Sequence, residues 1–600
     1  MDRARPKLLA DVSSVVCPSR VPRPSDGSAA CRSDPDVTAH FPKLHYRVSE
    51  RLTRRTEPVR PTNSIATGAG RRLIEVSSCA GGWRIGIHGA GLAALSEPAE
   101  KRSAGRPEIL RKTGRLLWDG LLEPEHDPLV IWIFLRLFGA IYLFAFASLG
   151  VQILGLIGAG GILPVDEYLT AARQGWGVVA YWRLPTVFWL ATSNSVLIFT
   201  TIVGGALAAL ILLDRWVRLS LVGSFLLYLS LVYAGQIFTN FQWDLLLLES
   251  GFLAIFLTLH SRVVVWLYRW LLFRFLFLAG AAKLLSGDPT WRKLTALDYH
   301  FWTQPLPTPV AWYAARLPHR VLAGATAATL VIELGVAFLI FSPRRPRAVA
   351  ACAILLFQLL IMLTGNYNFF NLLTMLLCIF LFDDAAFGRC IPVWLATRAR
   401  QQAAAPERTA AALVVSIALV IVPAGLNRIW QTFTKTDLPL AGTLAQAISP
   451  LLIVNPYGLF ATTTTTRPEI IIEGSDDGKV WSEYVFRYKP GPVTRRPTWN
   501  IPHQPRLDWQ MWFAAYGNAT QNAWFVGLMR QLLRNSPHVA ALLEINPFPD
   551  HSPKYVRALL YDYHFSDPDT YARTGQWWVR QLEGLYFPQV GLVDLPPHEP

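Results

Sequence analysis

Four sets of residues have types and spacings that could do chemistry. In the stretch 291–304, Asp298 and His300 offer an acid/base pair or two metal ligands, beside Trp291, Arg292, Trp302 and Gln304. No second histidine stands at ligand spacing, and side chains two apart do not face each other on a helix. A hydrogen-bonded structural role is therefore the expectation, with no catalytic residue and no metal. The flat rings and donors also suit contact with a bound protein, or an aromatic belt at a membrane surface. Far downstream, Arg506, Asp508, Trp509 and Trp512 form a second set in PHQPRLDWQMWF. It reads as a charge pair at a helix start with packing rings, or as a face for a protein partner.

The third set is ionisable and lies inside apolar runs: Arg136, Asp244, Glu249, Lys283 and Glu333, with Arg269 and Arg274. Such groups are costly in lipid, so they pair, snorkel or serve function. Arg136, Asp244 and Lys283 stand near run ends, where snorkelling is open to them. The fourth set is weak. Gly155–Pro164 (GLIGAGGILP) has the glycine density of a nucleotide loop but follows an apolar run instead of a strand, so close packing at a helix end is expected. Ser475 lies in a hairpin turn without the strand-to-helix context of a nucleophile elbow. The six cysteines form no CxxC, and none falls after Ile391, which excludes thiol exchange and a disulfide framework there. No cofactor motif is present, and none is expected. Asn518-Ala-Thr520 fits a glycosylation acceptor in a secretory-pathway host.

The elements that must position these residues are membrane helices. The chain is 52% hydrophobic and only 16% charged, against about 25% charged for a soluble domain. Apolar runs recur at Leu129–Leu149, Ser195–Leu213, Leu219–Phe238, Leu245–Leu259, Val263–Leu285, Leu322–Phe341, Ala348–Leu363, Phe370–Phe382 and Ala410–Leu426. The expectation is a multi-pass α-helical membrane protein of about nine spans, four of them short. Membrane lipids are thus its first partners. The net charge of +15 sits largely in the N-terminal tail and in alternate connectors, for example Arg215 and Arg218, Arg262, and Arg344 to Arg347. That alternation is the positive-inside pattern, so nucleic acid is set aside. It also places the long loop 286–321 and the C-terminal region on the same, outer or lumenal side. Residues 1–114 read as a disordered basic tail, with a misplaced start codon as a second reading of that stretch.

After the bundle of residues 115–428, residues 429–600 read as an extramembrane α+β domain. Leu440–Ile453 is too short and polar to cross. Glu469–Glu473 and Val480–Tyr488 read as strands around a glycine turn, and Tyr555–Phe565 alternates as a third. Leu507–Tyr516 and Asn522–Arg534 carry helical stripes.

Three stretches carry a family resemblance: GDPTWRKLTALDYHFWTQPLPTPVAWY from Gly287, RPEIIIEGSDDGKVWSEYVFRYKPG from Arg467, and IPHQPRLDWQMWFAA from Ile501. With GLIGAGGILP they make the chain from about Leu129 to Phe587 resemble the lipase maturation factor family. The resemblance implies a non-enzymatic factor that assists folding and assembly of secreted clients such as lipases. It implies the endoplasmic reticulum membrane, or the plasma membrane if the Ala/Arg/Pro-rich composition reflects a bacterial source. The alternative is a membrane-embedded enzyme, since the family's membrane part distantly resembles vitamin K-dependent carboxylases. No motif here transfers their catalytic residues.

Overall fold

All nine apolar runs fold as helix in the computed structural model, which describes residues 127–388, 391–402 and 408–595. The tail 1–114 lies outside the described residues. In chain order the helices are α1 (Pro128–Gly150), α2 (Asn194–Leu212), α3 (Val217–Ala234), α4 (Gln242–Leu257), α5 (Arg262–Leu285), α6 (His319–Leu334), α7 (Arg344–Thr364), α8 (Phe370–Leu377) and α9 (Arg408–Thr434). Seven are long and apolar enough to cross a bilayer, α6 through its 3-10 extension to Phe341. The other two are α4, with 16 residues, and α8, which a 3-10 turn extends to Leu381. At 1.5 Å per residue, α4 spans roughly 24 Å, short of the ~30 Å hydrocarbon core.

Burial accounts for the short pair. α6, α7 and α9 leave most of their surface exposed, as lipid-facing helices do, whereas α1 and α5 are largely enclosed. Both α4 and α8 are buried along most of their length. A helix surrounded by other helices need not match the bilayer thickness, because its ends meet protein instead of headgroups. Long-range partners define where helices begin. Pro128 opens α1, and the Asp384 carboxylate accepts from Leu129 and Val130 N–H at 3.2 and 3.0 Å. The backbone N–H of Asp384 in turn donates to Asp127 at 2.8 Å. Orphan donors of a helix start are thus satisfied from the far end of the bundle sequence.

Beyond α9, the short helix α10 (Ala441–Ile448) leads into the strand-containing domain. Its strands are β1 (Pro468–Ser475), β2 (Ser482–Glu483), β3 (Val485–Phe486), β4 (Leu543–Ile545), β5 (Tyr555–Phe565) and β6 (Trp578–Val590). The main sheet is antiparallel in the order β2-β1-β5-β6, with Ile471 opposite Leu559; β3 and β4 pair separately. Helices α11 (Arg506–Ala515) and α12 (Ala523–Leu533) supply buried apolar faces. The strand expected over Val480–Tyr488 splits between two sheets, since β2 joins β1 while β3 turns away to β4.

The long loop after α5 contains the short helix Ala296–Thr303, and the domain packs directly on this loop. Lys479, in a domain turn, and Arg345, in the first turn of α7, are both exposed and suit single cysteine substitutions. An impermeant thiol reagent applied to sealed vesicles is expected to label one of them and to reach the other only after permeabilisation. Equal labelling of both before permeabilisation would contradict an odd number of crossings between them.

Candidate functional site

The ionisable residues of the apolar runs do not snorkel; most are consumed in buried pairs where bundle, loop and domain meet. Asp244 sits in the first turn of α4, where unpaired N–H groups and the helix dipole favour a carboxylate. Arg506, at the start of α11, grips it with two parallel hydrogen bonds of 2.9 and 2.8 Å and donates a further one of 2.7 Å to the Phe238 carbonyl. Tyr228 donates to the same carboxylate at 2.5 Å. This fork geometry is the strong, directional form of an ion pair.

The backbone just before Arg506 is stitched to the bundle as well. Gln152, after α1, accepts from Arg506 N–H at 2.9 Å and donates to Gln504 C=O at 2.7 Å. Ser148 accepts from Gln504 N–H at 2.8 Å and meets His503 Nδ1 at 3.0 Å. Asn368 donates to the Gln504 side chain at 2.7 Å, and Asn366 donates to Thr498 C=O at the same distance. Burial, with Arg506 and Arg487 nearby, pushes the His503 pKa down to about 4.

A second buried cluster centres on Glu249 of α4. Arg274 of α5 pairs with it, while Tyr457 and the Asn455 backbone donate to its other oxygen at 2.9 and 3.2 Å. The chain then crosses the end of α5. Lys283 pairs with Glu333 of α6 at 2.8 Å and donates to Leu459 C=O at 3.0 Å, and Trp291 donates its indole N–H to Phe460 C=O at 3.0 Å. Arg136 forms an ion pair with Asp214, nearer the opposite end of the bundle.

The loop is held from the domain side by Arg467, which is fully buried. It pairs with Glu469 at 2.9 Å and donates to the carbonyls of Trp302 and Pro305, both at 2.8 Å, and to that of Gln304. Lys489 completes the cluster on Glu469 at 2.9 Å. Trp512 donates to Thr303 C=O at 2.9 Å. Asp508 accepts from the backbone N–H groups of Tyr488 and Lys489 at 2.8 Å, and burial still raises its pKa. Trp509 stacks edge-on against Trp243 of α4 at 4.7 Å.

Asp298 and His300 are not brought together as a pair. Asp298 faces His319 at 2.9 Å, whereas His300 approaches Tyr367 at 3.4 Å and the Phe460 ring at 5.0 Å. Burial, helped by the Lys283 charge, lowers the His300 pKa to about 4. Gln304 accepts from Tyr367 at 2.8 Å. Trp291, Gln304, Arg506, Asp508, Trp509 and Trp512 are all buried, so they hold the assembly from within; Arg292 is exposed and Trp302, tilted against the His564 ring at 4.4 Å, is half-buried.

The glycines of Gly155–Pro164 make a socket for the domain. A Cβ on Gly155 would meet the His538 carbonyl at 2.4 Å, and one on Gly527 would meet the Ile162 carbonyl at 2.4 Å. Sequence reasoning did not single out Arg467, Glu469, Asn455 or Tyr457 as site residues. The first two carried a signal: charges two apart at a strand start share one face.

Residues 129–389 match the lipase maturation factor transmembrane domain, and residues 453–588 match the lipase maturation factor C-terminal domain. Lipase maturation factor 2 of Rattus norvegicus is 35% identical, over 77% of this chain and 83% of its own length. Lipase maturation factor 1 of Mus musculus is also 35% identical, over 77% and 87% respectively. No solved structure matches.

Removing one partner of the Arg506–Asp244 pair strands a buried charge, which costs about 3–5 kcal/mol. Arg506→Met and Asp244→Leu alone are each expected to lower the thermal midpoint of the purified protein strongly, and the double variant less than the sum. Full additivity would show that the two do not act as a pair. For the histidines, the unfolded pKa is about 6.5, above the folded value of about 4 for both His300 and His503. Between these values the unfolded chain binds more protons, so stability is full above about pH 6.5 and declines as pH falls towards 4. Limited proteolysis of the domain is expected to accelerate over that window, and less so in a His300→Gln/His503→Gln variant.

Proposed function

The chain belongs to the lipase maturation factor family, and from that premise we propose that it is a non-catalytic maturation factor. In this reading it assists folding or assembly of secreted client proteins, lipases being the class named by its relatives. Its site is the endoplasmic reticulum membrane in a secretory-pathway host, or the plasma membrane in a bacterium. The observation that carries the proposal is how the chemical groups are used. Asp244, Glu249, Lys283, Glu333, Arg467 and Arg506 are locked into buried pairs, and the Asp244–Arg506 pair together with hydrogen bonds from the others ties bundle, loop and domain together. A general acid or base needs a group poised at an open site with a tuned pKa, whereas these pairs serve to fix one surface.

That surface, formed by loop 286–321 and the domain above it, is where clients dock. Arg292, Asp298 and Trp302 reach it, and an exposed Arg and a ring at its edge are common interface anchors. Trp291 acts from below, through Phe460 and the Lys283 ammonium at 5.2 Å from its ring.

Secreted lipase activity and client co-purification, measured at matched membrane levels, test this reading. Trp291→Ala is expected to lose both, because it unseats the loop, and Arg292→Ala is expected to weaken co-purification while leaving thermal stability unchanged. Asp298→Asn and His300→Gln keep shape and are expected to retain most function. If either abolishes client activity while the variant stays folded and still binds the client, the non-catalytic reading fails.

A further inference from the structure

The connector between α1 and α2 carries a patch that the buried pairs around Asp244, Glu249 and Arg467 do not use. Val178, Val179, Tyr181, Trp182 and Leu190 are all exposed, Val178 to 83% and Leu190 to 91%. A single exposed leucine is ordinary, but a cluster of this kind marks a contact surface. The segment is two-faced, since Ala180, Leu184 and Phe188 lie buried on its other side. It is also fixed in place. Thr186 donates to Ser230 C=O at 3.2 Å, Val187 N–H donates to Ser230 Oγ at 3.1 Å, and Trp189 donates to Leu184 C=O at 2.8 Å. The Trp189 ring packs on Tyr181 at 4.7 Å.

Those bonds set the depth of the patch. Ser230 lies about one turn inside the end of α3 at Ala234, and Leu190 shortly precedes Asn194, where α2 begins. The patch therefore stands at the level where α2 and α3 meet the edge of the hydrocarbon. Phe199 and Ile202, on the apolar span α2 that follows, are exposed as well.

We propose that residues 177–192 insert into the bilayer leaflet on the domain's side as a shallow, non-spanning anchor whose occupant is phospholipid at the headgroup–acyl boundary. Trp and Tyr partition to that boundary, and valine and leucine reach just below it. Arg173 and Arg183 are exposed beside the patch, with Arg183 stacked on Trp176 at 5.0 Å, and lie where phosphates would be. The same connector seats the domain: Ser536 donates to Gly160 C=O at 2.7 Å. Lipid insertion here ties the height of the domain to the membrane surface.

The full chain, reconstituted alone in phosphatidylcholine vesicles, tests this with the photocrosslinker benzoylphenylalanine placed singly at Val178, Trp182 or Leu190. Mass spectrometry is expected to find lipid adducts at these positions at a level comparable to Phe199, the lipid-facing control, and several-fold above Val480, an exposed position on the domain. Adducts at Phe199 but none at the three patch positions would overturn the proposal. Adducts to a second copy of the chain would also overturn it and make the patch an interface between copies. Because each position is tested separately, one variant that fails to insert leaves the other two to decide.

Discussion

A carboxylate buried among membrane helices is stable only with a partner, and for Asp244 the principal partner comes from outside the bundle. The desolvation of a lone charge there costs several kcal/mol. Arg506 removes that cost with a bidentate bond, but it can do so only if the C-terminal domain is seated on the membrane part. Everything around the pair serves this seating: Gln152 and Ser148 on the α1 side, Asn366 and Asn368 before α8, and the glycine socket below α12. The domain is part of the bundle's electrostatic balance as well as its neighbour.

The same logic explains why so much polar chemistry among the described residues sits paired in an apolar interior. Glu249 accepts from Arg274, Tyr457 and the Asn455 backbone, and Glu469 is shared between Arg467 and Lys489. Each carboxylate has several donors drawn from different segments. Such networks specify one arrangement more than they add stability, because an incomplete version leaves a buried charge.

The membrane architecture was legible because lipid imposes a local rule: each run had to be apolar over its own length. The central strands and both domain helices were legible by periodicity, and β5 lies over Tyr555–Phe565 as read. β6 was not, because its pairing with β5 is interrupted by three register shifts that break the period-2 pattern, with Pro588 among its residues. Burial of the site residues was also hidden. Trp291 read equally well as a client anchor or as part of a membrane-surface belt, and Trp512 as a packing ring with a client face as the alternative; the carbonyls of Phe460 and Thr303, far away in sequence, hold both rings inside. Residue type singled out these positions, while long-range pairing determines their burial.

The sequence distance across the Asp244–Arg506 pair, 262 residues, has a consequence for biogenesis. A ribosome adding about 5–20 residues per second emits Arg506 tens of seconds after Asp244. During that interval α4, short and carrying both Asp244 and Glu249, has neither Arg506 nor Asn455 to complete its polar contacts. The polar contacts of α4 are therefore completed only once the chain beyond α9 has been made. Vectorial synthesis thus leaves the two carboxylates of α4 to be matched by groups made after the helix that carries them.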